Sequence, residues 1–578
     1  MSKIIFLFTF FGALVSLGSV FALDANAQTE TRTFFVESSY DISGRKEIEA
    51  QLVRADNRIY FYIEKNWWGG RSPREQNDLR IALFELGQEF QNHIYPVLTS
   101  TFGSEPNPGV DKDAKLTILI HQMAGEAGGY FRSNDVYEKA VSPTSNAREM
   151  VYLNSEYIGE IEAKSFLAHE FTHLITINQK DLLRRVAEET WLNEARAEYA
   201  STLLGYDDVY EGSNLQRRVR NFLENPTNSL TEWLNTKEDY GVINMFVQYL
   251  VDHYGKDVLI DSLKSSQVGI ASLDEALQRN GFKEDFAQIF QDWAITVLVN
   301  NCEVGSKYCY ANPNLASLRV APVSYYIPGG ETVVSTNHTA PAWSANWHRF
   351  VGGGQNFTLE FEGTSVVDFE VPYLLCDLHY ECSVGFFSLD EEQKGIITFS
   401  QFDKTYSSLT IIPFLKGKTS GFSGRENTFL FSWEVKVQRE AEAKAQEEVQ
   451  LRNQLLARVA ELQAQIRQLR SRIAALQGQR NPPQAVSCTS FNRNLSFGVQ
   501  GEEVRCLQEF LASQGPEVYP EGLVTGNFLS LTKQAVIRFQ EIYAPEILAP
   551  LSLNSGTGYV GQTTRNKMNQ MIGSLVAI

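Results

Sequence analysis

Cysteine is scarce, six in 578 residues, and no two of them form a CxxC pair, which argues against a thioredoxin-like redox centre or a zinc ribbon. Histidine is nearly as rare, at eight, so a pair at metal-ligand spacing stands out. Beyond the first 23 residues no uncharged apolar run is long enough to span a bilayer. Cations are the minority charge: 51 Lys and Arg against 69 Asp and Glu leave a net charge of −18. Such a surface repels phosphate backbones and disfavours general nucleic-acid binding. The remaining composition is that of a folded protein: 43% hydrophobic and 21% charged residues fit neither wholesale disorder nor a multi-span membrane protein. Aromatics at 12% suggest substantial β structure, and the length suggests roughly four folding units.

The first residues bear on location. Met1-Ser2-Lys3 is a short basic start, Ile4 to Leu23 is apolar, and Asp24-Ala25-Asn26-Ala27 offers an Ala-x-Ala cleavage site. This predicts a signal peptide over 1–27, with an uncleaved anchor as the alternative. Either way the chain is exported: extracellular, periplasmic or associated with a cell wall. The cysteines fall as three local pairs, Cys302/Cys309, Cys376/Cys382 and Cys488/Cys506. Close spacing and an oxidising compartment favour three short-loop disulfides over metal thiolates.

Four regions follow the leader. Residues 28–305 mix α and β, with strands expected at Ile59–Ile63 and Leu116–Ile120. Helical spacing of apolar residues marks Leu79–Tyr95, Ile161–Asn178, Ala187–Leu204, Leu215–Leu223, Val242–Tyr254 and Phe286–Asn300. Residues 28–110 read as the first layer of that domain, with a propeptide as the alternative. From 310 to 437 several short strands separated by Gly and Ser suggest a β-sandwich, and no motif there carries chemistry. Between 439 and 480 the chain is rich in Ala, Glu, Gln, Leu and Arg. Leu455, Val459, Leu462, Ile466, Leu469, Ile473 and Leu476 recur at alternating steps of four and three. β-Branched residues at a and Leu at d suit a parallel two-stranded coiled coil and hence a homodimer. A single helix packed on its own protein, or an antiparallel pair, fits the same pattern. Glu448 and Arg452 break the seam upstream, and Asn481-Pro482-Pro483 ends it. The last region, 487–578, holds a weak repeat: Gly526-Asn527-Phe528 with Thr532 and Val536 returns 32 residues later as Gly558-Tyr559-Val560 with Thr564 and Met568.

The chemistry lies in Ala168-His169-Glu170-Phe171-Thr172-His173. Positions i and i+4 share a helix face, so His169 and His173 can reach one cation, and Glu170 lies beside that face as a general base. In a chain this poor in histidine, such a string arises by chance about once in a hundred sequences. Two buried histidines on an amphipathic helix are the plainer alternative. A catalytic zinc needs a third ligand and one open position. Trp191-Leu192-Asn193-Glu194-Ala195-Arg196-Ala197-Glu198, on the next expected helix, offers Glu194 as that ligand, with Asn193 and Glu198 placed to hold the free ring nitrogens.

HExxH followed by W-L-N-E-x-x-A-E resembles the gluzincin metallopeptidases, most closely the hyicolysin-like extracellular bacterial peptidases. The resemblance covers roughly 110–300. It implies an α+β catalytic domain binding one Zn2+ through His169, His173 and Glu194, with Asn193 and Glu198 orienting the histidines. Tyr240-Gly241 looks like the segment that supplies a transition-state tyrosine, although a core-packed Tyr at a helix start fits equally. Gly128-Gly129-Tyr130 looks like the loop and edge strand along which a peptide lies, or a plain turn. No G-x-M-E-N exopeptidase motif is found, which favours internal cleavage. Gly501 to Gln508, Gly526-x-Phe528, Thr532 and Phe539-Gln540 resemble the three-helix peptidoglycan-binding domain, with an insertion from Tyr543 onward. The expectation is therefore a multidomain, exported, wall-associated zinc metalloendopeptidase acting on polypeptides. A peptidoglycan stem-peptide hydrolase and a non-catalytic surface adhesin or scaffold are the alternatives. The remaining histidines (His93, His121, His253, His338, His348, His379) lack partners at ligand spacing.

Overall fold

The computed structural model describes residues 30–125, 127–422, 424–438, 440–477 and 488–575. The expected signal peptide and the Asn481-Pro482-Pro483 spacer lie outside the described residues. The chain divides into two compact units, Met1–Val449 and Gln450–Ile578.

The first unit begins with β1 (Thr31–Phe35), β2 (Glu47–Ala55), β3 (Ile59–Glu64), α1 (Lys65–Gly69), α2 (Pro73–Glu89), α3 (Tyr95–Phe102), β4 (Leu116–His121), β5 (Gly129–Tyr130) and β6 (Met150–Asn154). These strands make one sheet in the order β1-β2-β3-β4-β6-β5, with β3, β4 and β6 parallel and the short β5 antiparallel at the edge. Residues 31–64 thus supply half the strands of this sheet. Side chains alternate across it. Ile59, Phe61, Ile63, Ile118, Ile120, Val151 and Leu153 face the helical layer, while Tyr62, Leu119, Met150 and Tyr152 join Phe34 and Ile48 on the other face.

The helical layer consists of α4 (Glu162–Ile177), α5 (Thr190–Leu203), α6 (Asn214–Glu224), α7 (Lys237–Tyr254), α8 (Lys256–Leu263), α9 (Gly269–Arg279) and α10 (Phe286–Val299). Two helices start earlier than apolar spacing alone suggests, because capping boxes satisfy their first N–H groups. Ser72 and Glu75 cap α2, and Thr236 and Asp239 cap α7, which puts Tyr240 in the first turn of α7. Strands β1, β2 and β6 and helices α8 and α9 have no counterpart in the sequence reading.

The β-rich region comprises β7 (Val323–Ile327), β8 (Thr332–Pro341), β9 (His348–Gly352), β10 (Asn356–Gly363), β11 (Asp368–Glu370), β12 (Pro372–Asp377), β13 (Cys382–Phe386), β14 (Lys394–Ser400), α11 (Phe402–Thr405), β15 (Tyr406–Ile411), β16 (Phe414–Lys416) and β17 (Thr428–Gln438). Its two main sheets run β14-β10-β17-β8 and β13-β12-β15-β9-β7. The hydrophobic core continues from the helices into these sheets: Phe290 packs on Trp343 and Phe414, and Trp347 Nε1 donates to the Ala294 carbonyl at 2.9 Å. The change of material near residue 310 is therefore not a break in the core. Disulfides join Cys302 to Cys309 and Cys376 to Cys382, the latter between paired strands.

Helix α12 (Glu440–Gln477) crosses the division between the units. Its seam residues Leu455, Val459, Leu462, Ile466 and Leu469 are 44–58% exposed. The rest of the second unit is α13 (Glu502–Ser513), α14 (Ser530–Ile542), α15 (Ala544–Ile547) and α16 (Gln562–Leu575) around a core of Phe510, Phe539, Val560 and Met568, with Cys488 bridged to Cys506. The repeat has a polar key that its apolar anchors conceal. Gln508 accepts from the N–H groups of Thr525 and Gly526 and donates to Asn527 O and Thr532 Oγ1. At the same offset, Gln540 accepts from Thr557 and Gly558 N–H and donates to Tyr559 O and Thr564 Oγ1. Each glutamine clamps a turn onto the helix that carries it.

Replacing Gln540 with Leu removes the acceptor of two backbone N–H groups and is expected to destabilise this unit by about 2–4 kcal/mol. Urea unfolding of the full chain, followed by a probe in the second unit, measures the loss. A change below about 0.5 kcal/mol, the scale of a surface substitution, would show that the clamp is not needed.

Candidate metal centre

Helices α4 and α5 pack against each other, joined by the turn Asn178–Leu182 and the stretch to Glu189. Their facing sides bring Glu194 to His173 and His169, 21 and 25 positions before it. His169 Nε2 and His173 Nε2 stand 3.1 Å apart, and Glu194 Oε2 lies 3.2 Å from the first and 3.5 Å from the second. Ligand atoms about 2.0–2.1 Å from a common tetrahedral centre stand roughly 3.3 Å from one another. The three atoms can therefore hold one cation with little movement. Glu170 also lies within reach, its carboxylate within 4.8 Å of both histidines. Of the two acids, Glu194 makes the shorter contacts with both rings, while Glu170 faces the edge strand.

The outer ring nitrogens are engaged. His173 Nδ1 donates to Asn193 Oδ1 at 3.1 Å, and His169 Nδ1 faces Glu198 Oε1 at 3.4 Å. An acceptor at Nδ1 keeps the proton there and leaves the Nε2 lone pair for a metal. Glu198 is itself held by both ends of the Arg218 guanidinium, at 2.6 and 2.7 Å, and by the amides of Asn214 and Asn244. Helix α6 can carry Arg218 to this point because Gly241 lets α7 approach it; a Cβ there would come within 2.4 Å of Phe222 N.

Charge follows geometry. Burial raises the Glu170 carboxyl above its ordinary pKa, which the histidines only partly oppose. Burial also pushes the Glu194 carboxyl up, but His173 and His169 outweigh it and hold the group well below the usual range. Glu198 is brought down to about 2, since Arg218 overcomes the cost of burial. Burial disfavours the charged form of His173, yet the Glu194 carboxylate prevails and lifts it to about 9.

The edge strand borders the site closely. A Cβ on Gly129 would meet Tyr152 O at 2.6 Å and Glu170 Cγ at 3.0 Å, and one on Gly128 would enter the Phe166 ring at 2.4 Å. These glycines are the reason β5 can lie against Glu170. The Tyr130 ring is 5% exposed and stacks between Tyr40 and Tyr152. Tyr240 is 6.4 Å, ring to ring, from His169, and its hydroxyl donates to Asn235 Oδ1 at 3.0 Å. Burial raises its phenol pKa further, so it stays protonated. Three neighbours were invisible to sequence reading: Arg218, Asn235 and Tyr40, whose hydroxyl accepts from Asn235 Nδ2 at 3.4 Å. A cavity of about 310 Å3 opens beside Glu170, His173 and Glu194. A buried base, a two-histidine, one-carboxylate ligand set and a phenol share one cleft, which suits metal-assisted hydrolysis.

No protein-family model matches the chain. Over 227 residues it is 29% identical to the neutral metalloprotease ShpI of Staphylococcus hyicus, a match covering 34% of this chain and 48% of that protein. The chain thus spans about half the length of the curated relative it matches. Among solved structures, the pre-peptidase C-terminal domain of collagenase from Bacillus anthracis aligns with 20% of this chain and 96% of its own, at 9% identity and a TM-score of 0.14. The periplasmic g-type lysozyme inhibitor PliG of Aeromonas hydrophila aligns over the same shares at 10% identity and a TM-score of 0.15.

Because a cation must displace the proton that Glu194 holds on His173, apparent affinity for a divalent metal should fall about tenfold per pH unit below about 9 and level off above it. Calorimetric titration in buffers of differing ionisation enthalpy measures both the affinity and the released proton. A pH-independent affinity with no proton release would contradict this linkage.

Proposed function

We propose that the protein is an exported zinc metalloendopeptidase, held at a cell wall by its second unit. One observation carries the catalytic reading: two histidine nitrogens and the Glu194 carboxylate converge at 3.1–3.5 Å while their outer partners fix both rings. Similarity to a neutral metalloprotease supports it. The donor set, two imidazoles and one carboxylate, suits zinc and leaves a fourth position open.

When bound, zinc supplies Lewis acidity that polarises a carbonyl and acidifies water. The chain's residues do the rest. An extended peptide pairs with the free edge of β5, which sets its scissile carbonyl over the ligands. Glu170 takes the proton of the attacking water and delivers it to the leaving amine, a role suited to a carboxyl whose pKa burial has raised. Tyr240 exchanges its bond to Asn235 for one to the developing oxyanion. Asn193 and Glu198 keep the imidazoles aimed throughout.

The second unit is read as a wall anchor on its resemblance to peptidoglycan-binding domains. The exposed seam of α12 is read as a contact with a second copy.

Glu170→Gln should keep zinc but lose roughly 10²–10⁴-fold in casein hydrolysis, and Glu194→Ala should lose the metal. Elemental analysis beside the casein assay, with and without chelator, reads both. An undiminished rate in Glu170→Gln removes it from the mechanism, and full occupancy in Glu194→Ala points to another third ligand.

A further inference from the structure

The cleft continues on both sides of His169 and Glu170. Opposite the cavity described above, a second one of about 460 Å3 opens between α4, α6 and the start of α7, and the two share Tyr40, Gly129, His169, Glu170 and Tyr240. Three cations line this second cavity: Arg217, Arg218 and Lys237. Two are committed. Arg218 is bidentate to Glu198, and Lys237 pairs with Glu224.

Arg217 differs. Among the described residues no carboxylate lies within 4.0 Å of it. Its Nη2 donates to Asn214 Oδ1 at 2.7 Å, its guanidinium lies 5.4 Å from the centre of the Phe166 ring, and its Nε is buried with no partner. Asn221, which lines the same cavity, has a buried Oδ1 that is also without a partner. Burial and the neighbouring Arg218 both push the Arg217 pKa down, while Glu198 and Glu162 act only from a distance. A half-buried guanidinium without a counter-ion is costly, and a carboxylate brought by a ligand would offset that cost with charge-assisted hydrogen bonds. The adjacent unpartnered amide oxygen can accept from a peptide N–H. This donor-plus-acceptor pair is what a carboxylate-bearing residue of a peptide presents in reverse.

We propose that the cavity beside α6 is a carboxylate-recognising subsite, in which Arg217 binds an acidic group of the peptide adjoining the bond to be cut. The inference rests on the metallopeptidase reading for its substrate, and it names a specificity residue rather than a catalytic one. The acidic group can be an Asp or Glu side chain or the peptide's own C-terminal carboxylate.

Paired peptides that carry Glu or Gln at each position flanking the cut, each made with the C-terminus blocked and with it free, separate the cases. At one position kcat/KM should favour Glu by roughly ten- to a hundredfold, the range of a charged hydrogen bond. The ratio should fall towards one in Arg217→Gln. Because it compares two peptides on one protein, a general loss of rate cancels. If Arg217→Gln does not fold, Arg217→Lys should keep a reduced preference. A preference seen only when the C-terminus is free assigns the same subsite to the chain end. Equal rates for every pair, or a Glu preference that survives in Arg217→Gln, would overturn the proposal. If the zinc-loaded protein cleaves nothing, the peptidase reading fails instead. Fluorescence anisotropy of the same labelled peptides on the Glu170→Gln protein, with and without Arg217→Gln, still tests the subsite: tighter binding of the Glu peptide that depends on Arg217 supports it, and equal binding rejects it.

Discussion

Two imidazoles and a carboxylate meet at one point only if none of them can turn away, and the bond between Arg218 and Glu198 prevents the first turn. His169 can rotate about its own side chain; Glu198, gripped at both oxygens by a guanidinium from another helix, removes that freedom at Nδ1. Asn193 does the same for His173 with a neutral amide. The asymmetry has a reason. Glu194 already places a negative charge beside both rings, and a second unneutralised acid would make the cluster too anionic when no cation is present. Arg218 cancels Glu198 and leaves Glu194 as the charge that a metal meets. Breaking one partner of such a buried pair typically costs about 3–5 kcal/mol, so the orientation of His169 and the stability of the α5–α6 contact rest on the same atoms.

The β-rich region acts on this site without touching it. The loop between α6 and α7 carries Asn235 and leads into Tyr240, and it is tied to the sheets at several points. Ser344 Oγ donates to Thr227 O, Ser229 Oγ to Ala342 O, and Leu230 N to Trp343 O. Asp239 then collects Asn228 Nδ2, Leu234 N and Thr236 N as it caps α7. At the other ligand helix, Glu189, five residues before Glu194, accepts from Gly421 N and from Trp191 Nε1. Loops of this length would otherwise fray at low free-energy cost. Anchoring them to a shared core fixes the phenol and the third ligand relative to α4.

The parts of the site that the sequence made readable are those within one turn of helix or on its immediate successor. His169 and His173 are related by helical periodicity, and Asn193, Glu194 and Glu198 by the same rule on α5, so local spacing alone brings them into view. Arg218, Asn235 and Tyr40 reach the same place only through tertiary packing: α6 must cross α7 at Gly241, Asn235 must adopt a positive φ of 59°, and the segment after β1 must return to the cleft. No local pattern encodes those meetings. For the same reason β1 and β2 escaped notice, since one face of each strand is polar and exposed and the apolar alternation is thin. Gln508 and Gln540 read as ordinary polar helix positions, although both are buried and organise the turns of the repeat.

The charge of the whole chain and the charge of the cleft pull in opposite directions. A net charge of −18 repels acidic peptides at long range, but at physiological salt that field is screened within about 8 Å. Inside the cleft the low dielectric makes nearby charges count more, and there, among the described residues, Arg217 has no carboxylate within 4.0 Å while the ligand site carries Glu194 and Glu170. Without a cation the Glu194 charge is offset by the proton it holds on His173. A divalent ion that displaces that proton would add one net positive charge to the cluster, so under the subsite proposed at Arg217 carboxylate selectivity would be coupled to metal loading.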